Sequence, residues 1–105
     1  MKLMTQEVIK RLPPLGSQNG MKPEEVKIAV KFFAPWGSWT WYVIEGERTP
    51  DGDWEFFGLV RGSETELGYF RLSDLQSIRG SFGLGIERDR SFYGRTLAEA
   101  QASQI

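Results

Sequence analysis

Alternation of apolar and polar positions is the clearest pattern in the first half of the chain. From Val26 to Phe32 every second residue is a large apolar one, and this period of two predicts a β-strand with one polar face. Residues Trp39–Glu45 are apolar on both alternating faces, so we predict a second strand at the centre of the sheet. Trp54–Arg61 and Glu66–Leu72 predict a third and a fourth strand.

Short helices are predicted near both ends of the chain and after the fourth strand. Thr5 is a suitable N-cap for a helix over residues 6–12, which Pro13 ends. The segments Ser73–Gln76 and Thr96–Glu99 have the spacing of capping boxes. Together these elements favour an α+β fold: a small, twisted, mainly antiparallel sheet of four or five strands with short helices packed on it.

The composition excludes several kinds of site. The chain has no histidine and no cysteine, so it cannot contain a Ser-His-Asp triad, a Cys-His dyad or an ordinary zinc, haem or iron–sulfur centre. No apolar run approaches the ~18 residues that span a bilayer, and the N-terminus has no signal-peptide core. We therefore expect one globular domain over residues 1–105, cytoplasmic, with no cofactor and no membrane partner.

Aromatic residues are concentrated in the strand-rich part of the chain. Eleven of the fourteen, including all four tryptophans, lie between residues 32 and 70. Strand alternation predicts that Trp41, Phe56 and Phe70 are core residues. Gly58 and Gly68 are expected to provide bare backbone on which these large rings pack.

Three other residues are candidates for an interface. Trp36 precedes Gly37 in a predicted turn, and a tryptophan in a loop is a typical hot-spot residue of protein interfaces. Arg79 stands before a glycine-rich segment, residues 80–85, that predicts turns rather than a helix. Arg88 follows this segment, and exposed arginines are also frequent hot-spot residues.

The carboxylates of Glu87 and Asp89 lie two positions apart and therefore share one face of an extended segment. They could ligate magnesium or calcium. We favour the alternative that Glu87 or Asp89 pairs with Arg88, Arg90 or another arginine and holds the glycine-rich segment. As a clasp, this segment would have an internal partner such as Arg79 or Arg71. In this interpretation Glu87 faces an internal partner and Arg88 remains free for a ligand or protein.

Charge is distributed unevenly, although the net charge is −1. Residues 1–31 carry six basic and three acidic groups, residues 45–66 seven acidic and two basic, and residues 71–95 five arginines and three acids. We expect the acidic block to be a solvated rim. The basic segment leaves a nucleic-acid contact open, although the aromatic strands lack the interleaved lysines and arginines of a base-stacking platform.

Five motifs occur along the chain in a familiar order: Lys31–Phe33, Trp39–Tyr42, Phe56–Gly58, Glu66–Leu72 and Arg79–Asp89. With them, nearly the whole chain resembles the family of small bacterial proteins called domain of unknown function 2958. The resemblance implies an association with plasmids, integrative conjugative elements and other mobile DNA. It implies no activity and no active site, so no catalytic residue is assigned.

The sequence thus favours an uncharacterised, non-enzymatic binding or regulatory protein of a bacterial mobile element, with a protein as its partner. The alternative is a nucleic-acid-associated accessory or an inhibitor of a host defence system, in which residues 45–66 mimic the charge of DNA. A carboxylate-metal enzyme around Glu87 and Asp89 ranks third.

Overall fold

The computed structural model describes residues 1–105 and contains one five-stranded antiparallel sheet with the strand order β4-β3-β2-β1-β5. The predicted α+β fold is confirmed. The strands are β1 (Val30–Phe33), β2 (Thr40–Arg48), β3 (Trp54–Arg61), β4 (Thr65–Arg71) and β5 (Glu87–Arg88). The helices are α1 (Gln6–Arg11), α2 (Leu72–Ser77) and α3 (Leu97–Ala102), with single 3₁₀ turns at Pro23–Glu25 and Ser81–Gly83.

The sheet has a hydrophobic core on each face, and β2 contributes to both. Trp41 and Val43 belong to the larger core, which α1 and α2 cover, whereas Tyr42 and Ile44 belong to the smaller one under α3. The central position predicted for β2 is therefore confirmed. The predicted core residues Trp41, Phe56 and Phe70 are all buried in the larger core.

Gly58 and Gly68 do not have the predicted role of providing bare backbone on which aromatic rings pack. A β-carbon at Gly58 would lie 2.0 Å from the carbonyl oxygen of Tyr42, so this glycine permits two backbones to approach rather than a ring to pack. The close approach lies beside a register shift between Val43 and Glu45 of β2. Gly68 has open space at the position of a β-carbon.

Helix α2 does not use the predicted Ser73–Gln76 capping box. Its N-cap is Arg71, whose backbone N–H donates to the carboxylate of Asp74 at 3.1 Å. The Ser73 hydroxyl instead donates to Oδ2 of Asp53 at 2.5 Å. The prediction fails because a carboxylate from the β2–β3 turn, distant in sequence, takes the hydroxyl that the local pattern had assigned to the cap.

The caps of α1 and α3 are as predicted. Oγ1 of Thr5 accepts the backbone N–H of Val8 at 3.3 Å. Thr96 and Glu99 form a reciprocal capping box, with bonds of 3.2 Å to the Thr96 hydroxyl and 3.0 Å to the Glu99 carboxylate. None of the three helices has the length and apolar character needed to cross a membrane.

Glu45 contradicts the expectation that the acidic block is a solvated rim. Its side chain lies in the interior and is only 3% exposed. Oε1 accepts the backbone N–H of Gly16 at 2.7 Å, and Oε2 accepts the backbone N–H of Gln18 at 3.1 Å. A buried carboxylate needs such donors, so Glu45 anchors the loop after α1 to strand β2.

Candidate functional site

The β1–β2 turn and the start of β2 place three tryptophans around a cavity of about 300 Å³. The backbone N–H of Ala34 donates to the carbonyl of Trp39 at 3.0 Å and closes this turn. Trp41 is buried, whereas Trp39 is 45% exposed, with ring centroids 5.8 Å apart. The cavity is therefore an apolar hollow open to solvent. Its lining residues are Ala34, Trp36, Trp39, Trp41, Ile78 and Arg79.

Two glycines from other parts of the chain support the rings around this cavity. A β-carbon at Gly80 would lie 2.0 Å from the indole of Trp36, and one at Gly62 would lie 2.3 Å from the indole of Trp39. Both indoles thus occupy space that any larger residue would fill. The shape of the cavity depends on the β3–β4 turn and on the loop after α2, as well as on the tryptophans themselves.

A closed loop beside the cavity presents Phe82 to solvent. The backbone N–H of Gly80 donates to the carbonyl of Leu84 at 2.8 Å, and Arg79 and Gly85 form a β-bridge at its base. Phe82 is fully exposed and has φ 60°, the only non-glycine residue with a positive φ. This backbone conformation costs an L-residue about 1–2 kcal/mol, and residues strained in this way cluster at functional sites.

Arg79 adds a positive charge to the edge of the cavity. Its Nη1 donates to the carbonyls of Gln76 and Ile78 at 2.6 and 2.8 Å, and no carboxylate lies within ion-pair distance. Two of the predicted interface residues, Trp36 and Arg79, therefore line one cavity. We call the group Trp36, Trp39, Arg79 and Phe82 the tryptophan surface.

Arg88, the third predicted interface residue, lies elsewhere and has the role predicted for Glu87. Its Nη1 donates to the main-chain carbonyls of Lys2 and Leu3, so it holds the N-terminal segment against the outer side of β5. Glu87 makes no hydrogen bond and no ion pair through its side chain. The predicted division, with Glu87 inside the clasp and Arg88 free, is wrong because the N-terminal carbonyls supply the acceptors.

The arginine partners predicted for Glu87 and Asp89 are also wrong. Asp89 lies 3.7 Å from Nζ of Lys31. Arg71 instead faces three carboxylates from β3 and the turn before it. No group of three or more aspartates and glutamates is placed to hold a metal ion, so Glu87 and Asp89 have no third carboxylate that would join them in a metal site. The partners of Arg71 are Asp51, Asp53 and Glu55, at 3.5, 3.8 and 3.8 Å.

The acidic cluster around Arg71 joins the β2–β3 turn to the start of α2. A hydrogen bond from the Thr49 hydroxyl lowers the pKa of Asp51, and one from the Ser73 hydroxyl lowers the pKa of Asp53. The positive charge of Arg71 lowers the pKa of both carboxyl groups further. Because every member has a partner within the cluster, we interpret it as structural.

Sequence reasoning missed two members of the tryptophan surface. It placed Trp39 at the start of the second strand, whereas Trp39 precedes the first residue of β2 and is partly exposed. Phe82 received no role, although glycines at positions 80 and 83 flank it at a predicted turn. An apolar residue between two turn-forming glycines is the signal that would have identified Phe82.

Comparison with known proteins identifies a family but assigns no site. Neither a curated protein nor a solved structure matches the chain. A family model described as a protein of unknown function (DUF2958) matches residues 3–102, nearly the whole chain. The chain therefore belongs to this family, as its motifs implied.

Proposed function

We propose that this chain is a non-enzymatic binding or regulatory protein that recognises a partner protein through the tryptophan surface. The observation that supports the proposal is Phe82, a fully exposed aromatic residue in a left-handed backbone conformation. A solvated phenylalanine contributes no buried area to the free protein, and its backbone is strained. Burial by a partner would give this side chain the apolar contacts that it lacks in the free molecule.

The composition of the tryptophan surface supports a protein partner. Tryptophan and arginine are the residues most enriched among interface hot spots, and here both types line one cavity. The indole rings of the two turn tryptophans pack against Gly62 and Gly80, so these side chains would lose little conformational entropy on binding. A preformed apolar hollow with an exposed aromatic residue on the adjoining loop is suited to binding a protein segment.

The chemistry of the cavity indicates what the partner presents. Its volume of about 300 Å³ suits an apolar side chain. Arg79 has no acidic partner within the chain, so a carboxylate on the partner would complete the contact. The proposed ligand is therefore a protein segment with an apolar anchor next to an aspartate or glutamate.

The cellular setting in the proposal is the bacterial cytoplasm, with the gene carried by mobile DNA. This part rests on the family resemblance. It predicts that the gene lies among genes for plasmid maintenance, transfer or integration.

The test is affinity capture from an extract of the native bacterium, followed by mass spectrometry. Wild-type protein is compared with Phe82→Ala and Trp39→Ala, which change the tryptophan surface. Tyr69→Ala is the matched control, because Tyr69 is a solvent-exposed aromatic residue on β4. We expect a partner that the wild type and the control retain and that both surface variants lose.

The candidate partner is then purified and its affinity measured by calorimetry. We expect Phe82→Ala and Trp39→Ala each to weaken binding at least about tenfold, and Arg79→Ala to make it less dependent on salt. Partners that all variants retain equally would contradict the proposal, as would a wild-type protein that retains none.

A further inference from the structure

Beyond the tryptophan surface, we propose that single-stranded nucleic acid binds in a second cleft, between α1 and residues 88–93. This cleft measures about 380 Å³. It lies where the two basic segments of the chain, residues 1–31 and 71–95, come together. Arg11 from the first segment and Arg88 and Arg90 from the second line the same cleft.

The cleft carries positive charge that the protein itself does not neutralise. Arg90 is exposed and has no hydrogen-bond or ion-pair partner. Arg88 donates only to uncharged main-chain carbonyls, so its charge remains available. Of the two acids that line the cleft, Asp89 faces Lys31 and Glu7 faces Arg11, each at 3.7 Å. The unpaired guanidinium groups are therefore the ones that would bind phosphate.

The same cleft provides an aromatic platform. Tyr93 is 72% exposed and has no ring partner, whereas the neighbouring Phe92 packs against Tyr42 with a centroid distance of 5.9 Å. Phe92 thus fixes the segment, and Tyr93 offers a free ring face to a base. An arginine next to an exposed aromatic ring is the combination by which proteins bind single strands without sequence preference.

The geometry favours a single strand over a duplex. Each helix has six residues, too short to lie along a major groove. A stacking ring can reach only an unpaired base. The acidic residues between 45 and 66 lie on β2, β3 and β4 and in the turns between these strands, and none of them lines this cleft.

The test is fluorescence anisotropy with a labelled single-stranded DNA of about 12 nucleotides, of mixed sequence. We expect Tyr93→Ala to weaken binding at least about fivefold, since stacking on one aromatic ring has about that effect or more. Arg90→Ala should weaken binding and reduce its salt dependence. If two phosphates are neutralised, wild-type affinity should fall about sevenfold between roughly 50 and 200 mM salt.

Matched controls separate this site from the rest of the surface. Tyr69→Ala removes an equally exposed tyrosine from β4, and Arg48→Ala removes one positive charge from the far end of β2. Phe82→Ala tests independence from the tryptophan surface. All three should bind the oligonucleotide as the wild type does, and thermal melting should show that every variant is folded.

Three results would overturn the inference. The first is no binding by the wild type at about 50 mM salt, the second is equal loss in the cleft variants and the controls, and the third is a preference for the annealed duplex. Loss of protein capture by Phe82→Ala, together with unchanged oligonucleotide binding, would show two separate sites. The two proposals can therefore fail independently.

Discussion

Gly80 lies directly against the indole ring of Trp36, so closely that a β-carbon at position 80 would be 2.0 Å from the ring. The contact joins the β1–β2 turn to the loop after α2. It also joins the two halves of the tryptophan surface, because Trp36 lines the cavity and the loop carries Phe82. The contact therefore fixes the loop that carries Phe82 to the wall of the cavity.

Replacing Gly80 with alanine should separate these two segments. The added methyl group has no space, so Trp36 or the loop must move, and we expect a loss of about 1–3 kcal/mol in the free energy of unfolding. Urea titration followed by tryptophan fluorescence measures both the stability and the displaced indole. Gly37→Ala is the control, since a β-carbon there meets nothing within 4 Å. Equal stability of the two variants would show that the contact is not tight.

Replacing Phe82 with glycine should stabilise the free protein. Glycine adopts a positive φ without steric cost, and the lost side chain makes no buried contact, so we expect a gain of about 0.5–1 kcal/mol. Ser81→Gly is the control, because Ser81 has no positive φ and should lose stability instead. A loss of stability in Phe82→Gly would mean that the ring stabilises the free molecule, and the argument for a binding role would fail.

Removing the buried carboxylate of Glu45 should loosen the loop after α1. In Glu45→Ala the backbone N–H groups of Gly16 and Gln18 lose their acceptor, at a cost of about 1–3 kcal/mol. Hydrogen exchange of these two amides should accelerate. Glu47→Ala serves as the control, because its exposed carboxylate accepts one weaker bond from the same loop. Similar exchange in both variants would contradict the anchoring role.

The stability should depend on pH through Asp53. Its pKa lies below the ordinary 3.8, chiefly because of the hydrogen bond from Ser73, so the ionised form favours the folded state. This contribution is complete above pH 3.8 and is lost as the pH falls through the lowered native pKa. The stability difference between wild type and Asp53→Asn should therefore be greatest near neutral pH and shrink in acid.

Denaturant titrations from neutral to acid pH measure the difference in the free energy of unfolding between the wild type and Asp53→Asn. Glu64→Gln is the control, because Glu64 is exposed and its side chain makes no hydrogen bond or ion pair. This variant removes a carboxylate without such contacts and provides the baseline for comparison. A difference for Asp53→Asn that shrinks no more in acid than that of Glu64→Gln would exclude a role of the Ser73 contact in acid stability.

Much of the sheet was predictable because its signals are local. The alternation around Trp41 and Phe56 gave their strands and their burial, and the apolar character of both faces of β2 indicated its central place. The caps at Thr5 and Thr96 followed from side chains that bond to residues three positions away. In each case the signal lies in residues that are close in sequence, so the sequence alone is sufficient.

The capping box at Ser73 shows where this reasoning stops. The local pattern predicted Ser73 as the N-cap, but Asp53, 20 positions earlier, accepts the Ser73 hydroxyl. Arg88 is a stronger case, since its partners Lys2 and Leu3 lie more than 80 positions away. The partners of Ser73 and Arg88 can be identified only when it is known which distant segments of the chain the fold brings together.

The sequence by itself determined the α+β class, the strand faces, the core aromatics and the absence of histidine and cysteine chemistry. Only the tertiary structure decided that Trp36 and Arg79 line one cavity, that the loop carrying Phe82 starts at this cavity and that Arg90 shares a cleft with Arg11. The physical reason is that periodicity fixes which way a side chain points within its element. What that side chain meets depends on loops and strand order, which the periodicity of a single segment does not specify.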